Sequence, residues 1–276
     1  HHEVLARLVD TDGSIIPAAA FVPSAERQGL VGEIDRVVLS ASLDRIAAAA
    51  AQGHRLRLTI NLSGLAFDDE TMLEYICARL ASSGVDPALV IFEITETAAV
   101  ENLEKATYFI ETLRAIGCRF ALDDFGSGFS SFAYLRSFPI DYIKIDGAFV
   151  KNLKEDLVNQ LVVKSINDIA HFLQLPTVAE CVEDVGTLIL LREMGVDYAQ
   201  GYLLGRPESE PIDRIDPARL SFTDGVMPQA CPAGQGLHSP HVGPQCQRAG
   251  PPRQTGFPSA RICHYGGQGR GATFCR

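Results

Sequence analysis

One feature constrains the fold more than any other. Short apolar runs alternate with helix-like stretches seven times over about 200 residues. The runs lie at 1–8, 55–60, 89–94, 118–123, 140–146, 176–180 and 196–202. Between them, Ile34, Val37, Val38, Ala41 and Ile46 recur at helical spacing, and helices are also expected over 101–116, 156–172 and 183–194. Asp68 is placed to cap a further helix ending near Ser82. Helical crossovers favour parallel strands. This rhythm predicts an α/β fold of TIM-like (β/α) barrel type. The first strand begins at the first residue, so the missing eighth is expected upstream; an open sheet is the alternative. No Gly-x-Gly-x-x-Gly follows the first strand, so a dinucleotide fold gains no support.

The run Phe120, Ala121, Leu122 climbs to Asp123 and Asp124, and Gly126 and Gly128 follow at once. Neighbouring strand residues point to opposite faces. Two adjacent aspartates serve one centre only where the strand ends and the backbone is free to turn. Carboxylates at a strand end above a glycine loop suit an oxygen-liganded divalent metal; an acidic turn capping the next helix is the competing reading.

The other expected strand ends carry similar groups: Glu3, Asn61, Glu93 and Glu96, Lys144 and Asp146, Glu180 and Glu183, and Gln200. In a barrel these share the C-terminal mouth, where catalysis resides. So many acids in one mouth repel one another unless cations share the site. Oxygen ligands without histidine or cysteine favour Mg²⁺ or Mn²⁺ over structural zinc. Two such ions about 4 Å apart suit in-line phosphoryl chemistry, with Lys144 positioning or deprotonating a water or neutralising a phosphate oxygen. Each group also has a plainer use. Asp146 is placed to cap the turn at Gly147, Glu96 and Glu183 to cap helices, and Gln200 to satisfy backbone groups. Arg7 shares a strand face with Glu3 and suits either a substrate phosphate or a structural ion pair.

Composition sets outer limits. The net charge of −10 opposes binding to a nucleic-acid polymer or an anionic membrane surface. No apolar run is long enough to span a bilayer, no signal peptide is visible, and a reducing, cytoplasmic setting is expected. Composition shifts near residue 225. The last 52 residues hold five arginines, no acid, and four of the seven cysteines. Residues 1–224 then form the domain, and 225–276 form a Gly/Pro/Cys-rich tail expected to be disordered or non-native, since its cysteine spacings fit no zinc pattern.

These residues together carry a family resemblance. The chain resembles the EAL domain, the bacterial cyclic di-GMP phosphodiesterase module. The matching pieces are Glu3, Val4, Leu5 and Arg7; Asn61, Leu62 and Ser63; Glu93 and Glu96; Asp123 to Ser131; Lys144 and Asp146; Glu180 and Glu183; and Gln200 with Gly205, Arg206 and Pro207, in the family's order. The resemblance implies a barrel with one antiparallel strand, truncated here at its start. It implies metal-dependent opening of one phosphodiester of cyclic di-GMP to linear pGpG, with two Mg²⁺ or Mn²⁺ ions when active. It assigns metal binding to Glu3, Asn61, Glu93, Asp123, Asp124 and Glu180, and water activation to Lys144. Glu96 would hold the loop after Asp124. Asp146 and Glu183 would support the site, and Arg7 and Gln200 would order substrate. It also implies a homodimer and an upstream sensory or cyclase-like domain, through which the full-length protein would be attached to a membrane if at all. Cys181 stands where the family usually has glycine, and crowds that loop if the glycine serves a special backbone angle. The alternative readings are a catalytically silent cyclic di-GMP receptor and a protein-interaction module.

Overall fold

The expected alternation becomes a single curled sheet with helices packed on it. The computed structural model describes residues 1–128, 134–208, 261–263 and 273–275. The strands are β1 (His2–Val9), β2 (Ile15–Pro17), β3 (Leu58–Asn61), β4 (Val90–Thr95), β5 (Arg119–Phe125), β6 (Tyr142–Ile145), β7 (Thr177–Ala179), β8 (Tyr198–Gln200), β9 (Arg261–Cys263) and β10 (Thr273–Cys275). They run in the order β10-β1-β3-β4-β5-β6-β7-β8-β9, with β2 paired to β1. From β1 through β3 to β9 every neighbour is parallel, whereas β2 and β10 pair antiparallel with β1. The sheet is a half-barrel, open between its two edges among the described residues.

The helices are α1 (Ala18–Arg27), α2 (Val31–Ala51), α3 (Glu70–Ser83), α4 (Glu96–Glu101), α5 (Leu103–Ile116), α6 (Gly147–Val150), α7 (Leu157–Phe172) and α8 (Val185–Glu193). Caps set several boundaries. Asp69, rather than the expected Asp68, accepts the Thr71 N–H to start α3, and Asp156 accepts from Val158 and Asn159 to start α7. Gly84 and Gly117 end α3 and α5 in left-handed conformations. The helix expected over 101–116 is broken at Asn102, so Glu96 opens a separate short helix capped by the Thr95 hydroxyl. The hairpin partner β2 is not expected from the sequence, because three residues are too few for period-two alternation to register. A 3₁₀ turn at Tyr134–Arg136 leads into β6.

The core lies between the sheet's outer face and the helices. Its fully buried members include Leu43, Ile46, Ile60, Met72, Ile76, Phe92, Ile94, Ile110, Phe120, Phe125 and Ile143. At roughly 1.5–3 kcal/mol for each fully buried large side chain, this layer supplies the main force holding the strands in register. On the inner face a small cluster of Ile91, Ala121 and Tyr142, backed by Tyr198, fills the floor beneath the polar mouth. The tail assigned to 225–276 lies outside the described residues except for β9 and β10, which extend the two sheet edges.

Candidate active site

The site is built on adjacent strands whose inner faces are polar at the mouth. Its centre is Lys144, on β6 and only 2% exposed. The ammonium Nζ lies 2.7 Å from Glu180 Oε1, 2.9 Å from Asp123 Oδ1, 3.0 Å from Glu93 Oε1 and 3.7 Å from Glu3 Oε2. These are ionic contacts. Nζ sits among the oxygens as a point charge, without a well-aligned hydrogen bond to any of them. Glu3 is held on two sides: Asn61 Nδ2 donates to its Oε1 at 2.7 Å, and Gln200 Nε2 donates to its Oε2 at 2.6 Å.

Asp123 and Asp124 face one centre through a distortion of β5. Pairing with β6 shifts register between Leu122 and Phe125, and Asp124 is left-handed at φ 53°. A bulge of this kind re-aims a side chain at a strand end. The turn thus begins at Asp124 itself, two residues before the first of the glycines expected to make it. As a result Asp123, Asp124 and Glu180 bring carboxylate oxygens within 4.8 Å of one another, a spacing that holds one divalent cation.

Glu180 follows β7 directly and depends on two close approaches. At Gly201 a Cβ would meet the backbone of Val182 at 2.3 Å, and the Val182 N–H donates to the Gln200 carbonyl at 2.9 Å. Only glycine at 201 lets the end of β8 dock against the Glu180 loop. At Gly147 a Cβ would meet Cys181 Sγ at 2.3 Å. Cys181 is itself left-handed at φ 53°, the backbone angle that glycine adopts without strain.

Glu96 is buried beneath the loop that follows Asp124. Its Oε2 accepts the Gly126 N–H at 3.1 Å, and its Oε1 accepts the Tyr134 hydroxyl at 2.9 Å. It ties that loop to the end of β4. Tyr134 is not legible in the sequence, where nothing in its neighbourhood marks its hydroxyl as the partner of a distant acid.

Other expected residues do not enter the cluster. Asp146 caps α6, accepting the Ala148 N–H at 2.8 Å, though its charge is near enough to raise Asp124. Glu183 is exposed. The Arg7 guanidinium donates to the Ala6 carbonyl at 3.0 Å.

The electrostatics describe a crowded acid site short of positive charge. Burial and then the charge of Glu3 push Glu93 well above the carboxylate range. Burial, only partly offset by Lys144, raises Glu180 to about 8. Burial and Asp123 raise Asp124 to about 6. At Glu3 burial acts the same way, but Lys144, Asn61 and Gln200 outweigh it and hold the group low. Lys144 is pushed well above its usual value, because its four acid neighbours overcome the cost of burial. Glu93 Oε2 is buried without a hydrogen-bond partner among the described residues, and buried Asp123 Oδ1 has only the ionic contact to Lys144 at 2.9 Å. Buried acceptors left unpaired are costly, and a divalent cation would satisfy them. The donor set and these under-satisfied oxygens fit such an ion.

Comparison with known proteins agrees with this geometry. The family model described as "EAL domain" matches residues 1–207. A cyclic di-GMP phosphodiesterase PdeB of Shewanella oneidensis is 41% identical over 206 residues, covering 75% of this chain and 24% of that protein. The cyclic di-GMP phosphodiesterase PdeF of Escherichia coli is 32% identical over 223 residues, covering 80% of this chain and 30% of that protein. The chain therefore spans under a third of these relatives' length. Among solved structures, a PaMucR phosphodiesterase in complex with c-di-GMP superposes with a TM-score of 0.70 at 30% identity, covering 73% of this chain and 82% of that one. The FimX EAL domain from Pseudomonas aeruginosa bound to c-di-GMP gives 0.68 at 31%, covering 73% and 81%. With a half-barrel of parallel strands, an acid cluster at its mouth and a family match over three quarters of its length, this chain belongs to the EAL domain family.

Proposed function

We propose that this domain hydrolyses one phosphodiester bond of cyclic di-GMP to give linear pGpG in second-messenger signalling. The observation that carries the reading is the buried ammonium of Lys144 among Glu3, Glu93, Asp123 and Glu180, beside the Asp123, Asp124 and Glu180 cluster. Relatives named as cyclic di-GMP phosphodiesterases, and solved homologues holding c-di-GMP, support it.

Glu3, Asn61, Glu93, Asp123, Asp124 and Glu180 are the residues that would hold Mg²⁺ or Mn²⁺, two ions in the active state. When bound, such ions supply charge for the phosphate and a nucleophile at neutral pH. Lys144, held among these acids, orients or activates the attacking water or neutralises a phosphate oxygen. Asn61 and Gln200 fix the Glu3 carboxylate. Glu96 holds the loop that carries Asp124, and Asp146 and Glu183 stand around the mouth as supporting acids. Arg7 and Gln200 are proposed to order the dinucleotide. For Arg7 this requires its guanidinium to leave the Ala6 carbonyl, an exchange open to a half-buried side chain.

Two larger-scale readings follow. A homodimer is supported by α7, where Leu157, Val158 and Leu161 are exposed together and a groove runs between this face and Gly126–Gly128. An upstream sensory or cyclase-like domain is proposed from the family resemblance, and the greater length of the relatives leaves room for a further domain. No helix among the described residues is long and apolar enough to cross a membrane.

The test is a product assay on the purified chain with cyclic di-GMP, with Mg²⁺, Mn²⁺ or chelator, and with binding measured on the same sample. Metal-dependent pGpG is expected. Tight binding without product would replace the enzyme by a silent receptor. Absence of both would remove the proposed substrate.

A further inference from the structure

Asn61 is the one neutral oxygen in the acid set, and its side chain is exposed at the mouth. Core packing does not hold it in place. It is the last residue of β3, paired there with Glu93, and its backbone runs directly into the turn that follows. That turn is tied at two points. The Leu62 N–H donates to the Glu93 carbonyl at 2.9 Å. Ser63 donates twice to one oxygen of Asp35, from its N–H at 3.2 Å and from its hydroxyl at 2.8 Å.

Asp35 is an unusual residue for its place. It lies on the buried stripe of α2 with Val31, Val38, Leu39, Leu43 and Ile46. A carboxyl at such a position is unfavourable unless it serves its partners. Burial raises it to about 6, against the pull of the Ser63 hydrogen bonds. No salt bridge to Asp35 is present among the described residues, and both of its hydrogen bonds there go to Ser63. An apolar residue here would extend the core, so the acid's contribution is to fix the turn. Gly64 completes the seat: a Cβ there would meet Ala98 Cβ at 2.8 Å, so the turn also rests on α4, the helix that Glu96 opens.

We infer that Asp35 is a positioning residue for the cation site, clamping Ser63 so that the adjoining turn presents the Asn61 amide oxygen to the metal. The inference rests on the metal-dependent reading of the site given above. Asn61 Nδ2 already donates to Glu3, which leaves its Oδ1 for a cation. A turn released from α2 would leave Asn61 held only by its ladder pairing and its bond to Glu3, loosening the aim of its Oδ1 while the buried acids stay in place.

The test is Mn²⁺ titration by calorimetry on the full chain near neutral pH, beside thermal melts of each protein in chelator. Asp35→Ala is expected to weaken Mn²⁺ binding by about tenfold, the low end of the loss seen when a ligand's own outer partner is removed, since Asp35 acts one residue further out. Asp35→Asn keeps an oxygen acceptor for both Ser63 donors and is expected to bind within about threefold of the parent, well inside the tenfold loss. Unchanged Mn²⁺ affinity in Asp35→Ala with a lowered melting temperature would overturn the inference, since Asp35 would then be a structural tie only. Equal damage by Asp35→Asn would overturn it as well. Should Asp35→Ala not fold, Ser63→Ala removes the shorter hydrogen bond alone, and unchanged affinity there is equally decisive. A parent chain that binds no Mn²⁺ overturns the metal reading itself, and the role of Asp35 with it.

Discussion

Replacing Lys144 by methionine keeps the bulk of a side chain that is 2% exposed and deletes the one positive charge among four acids. Removing one partner of a buried ion pair costs about 3–5 kcal/mol. Here part of that cost is relieved, because the acids can take up protons. The sign follows from their shifts. Glu180 and Asp124 are raised in the fold to about 8 and about 6. An acid raised on folding favours the folded state below its unfolded value, and that contribution is lost as pH rises through the folded one. Lys144 is raised too, so its own contribution is complete throughout this range. Its loss lifts the acids further, and the deficit widens as pH increases. The expected penalty is about 3 kcal/mol near pH 8, toward the lower end of the buried-pair range, and about 1 kcal/mol near pH 5. At 2–4 °C per kcal/mol for a domain of this size, the melting temperature falls by about 6–12 °C near pH 8. Thermal melts of parent and Lys144→Met at both pH values, in chelator and then in Mn²⁺, measure this. Added Mn²⁺ is expected to narrow the gap by supplying the missing charge. A variant melting within about 2 °C of the parent near pH 8 in chelator, below the shift of even one kcal/mol, would refute the view that Lys144 neutralises the cluster.

Three other outcomes are expected. Glu96→Ala deletes the acceptor of the Gly126 N–H and the Tyr134 hydroxyl, and is expected to cost about 2–3 kcal/mol in urea melts and to reduce pGpG formation. Parental stability would show that Glu96 does not hold the loop. Cys181→Gly relieves a left-handed backbone at φ 53°, with an expected gain of about 1 kcal/mol by chemical denaturation, whereas a loss would mean that Sγ packing outweighs the strain. Cation affinity is expected to rise between about pH 6 and pH 8, as Asp124 and then Glu180 give up the protons that compete with the metal. A flat calorimetric profile across that window would separate these two acids from the metal.

Much of the site is legible in the sequence, because its residues lie at strand ends and strand ends are marked by the close of apolar runs. Asn61, Glu93, Asp123, Asp124, Lys144, Glu180 and Gln200 stand out in this way, Glu3 stands out as an acid near the start of the first run, and the sheet brings them to one mouth. Local contacts that depend on a single backbone atom are less legible. Asp146 caps α6, one of the two uses its sequence position allows, and Glu183 stands in solvent. Asp35 does not stand out, because a lone acid in a helical apolar stripe reads as a small defect in the pattern. Its meaning depends on Ser63, 28 residues away.

By itself the sequence determined the kind of chain this is: alternating elements, parallel strands, and acids concentrated at one end of the sheet. Periodicity and residue chemistry are local properties, and both survive translation into structure. Tertiary structure alone decided which oxygens face which charge. The register shift in β5 turned Asp124 beside Asp123, the glycine at 201 let the end of β8 close on Glu180, and the curl of the sheet brought Lys144 within reach of acids on four other strands or strand ends. Such distances depend on backbone bends of one residue and on packing between distant segments, and no local pattern encodes either.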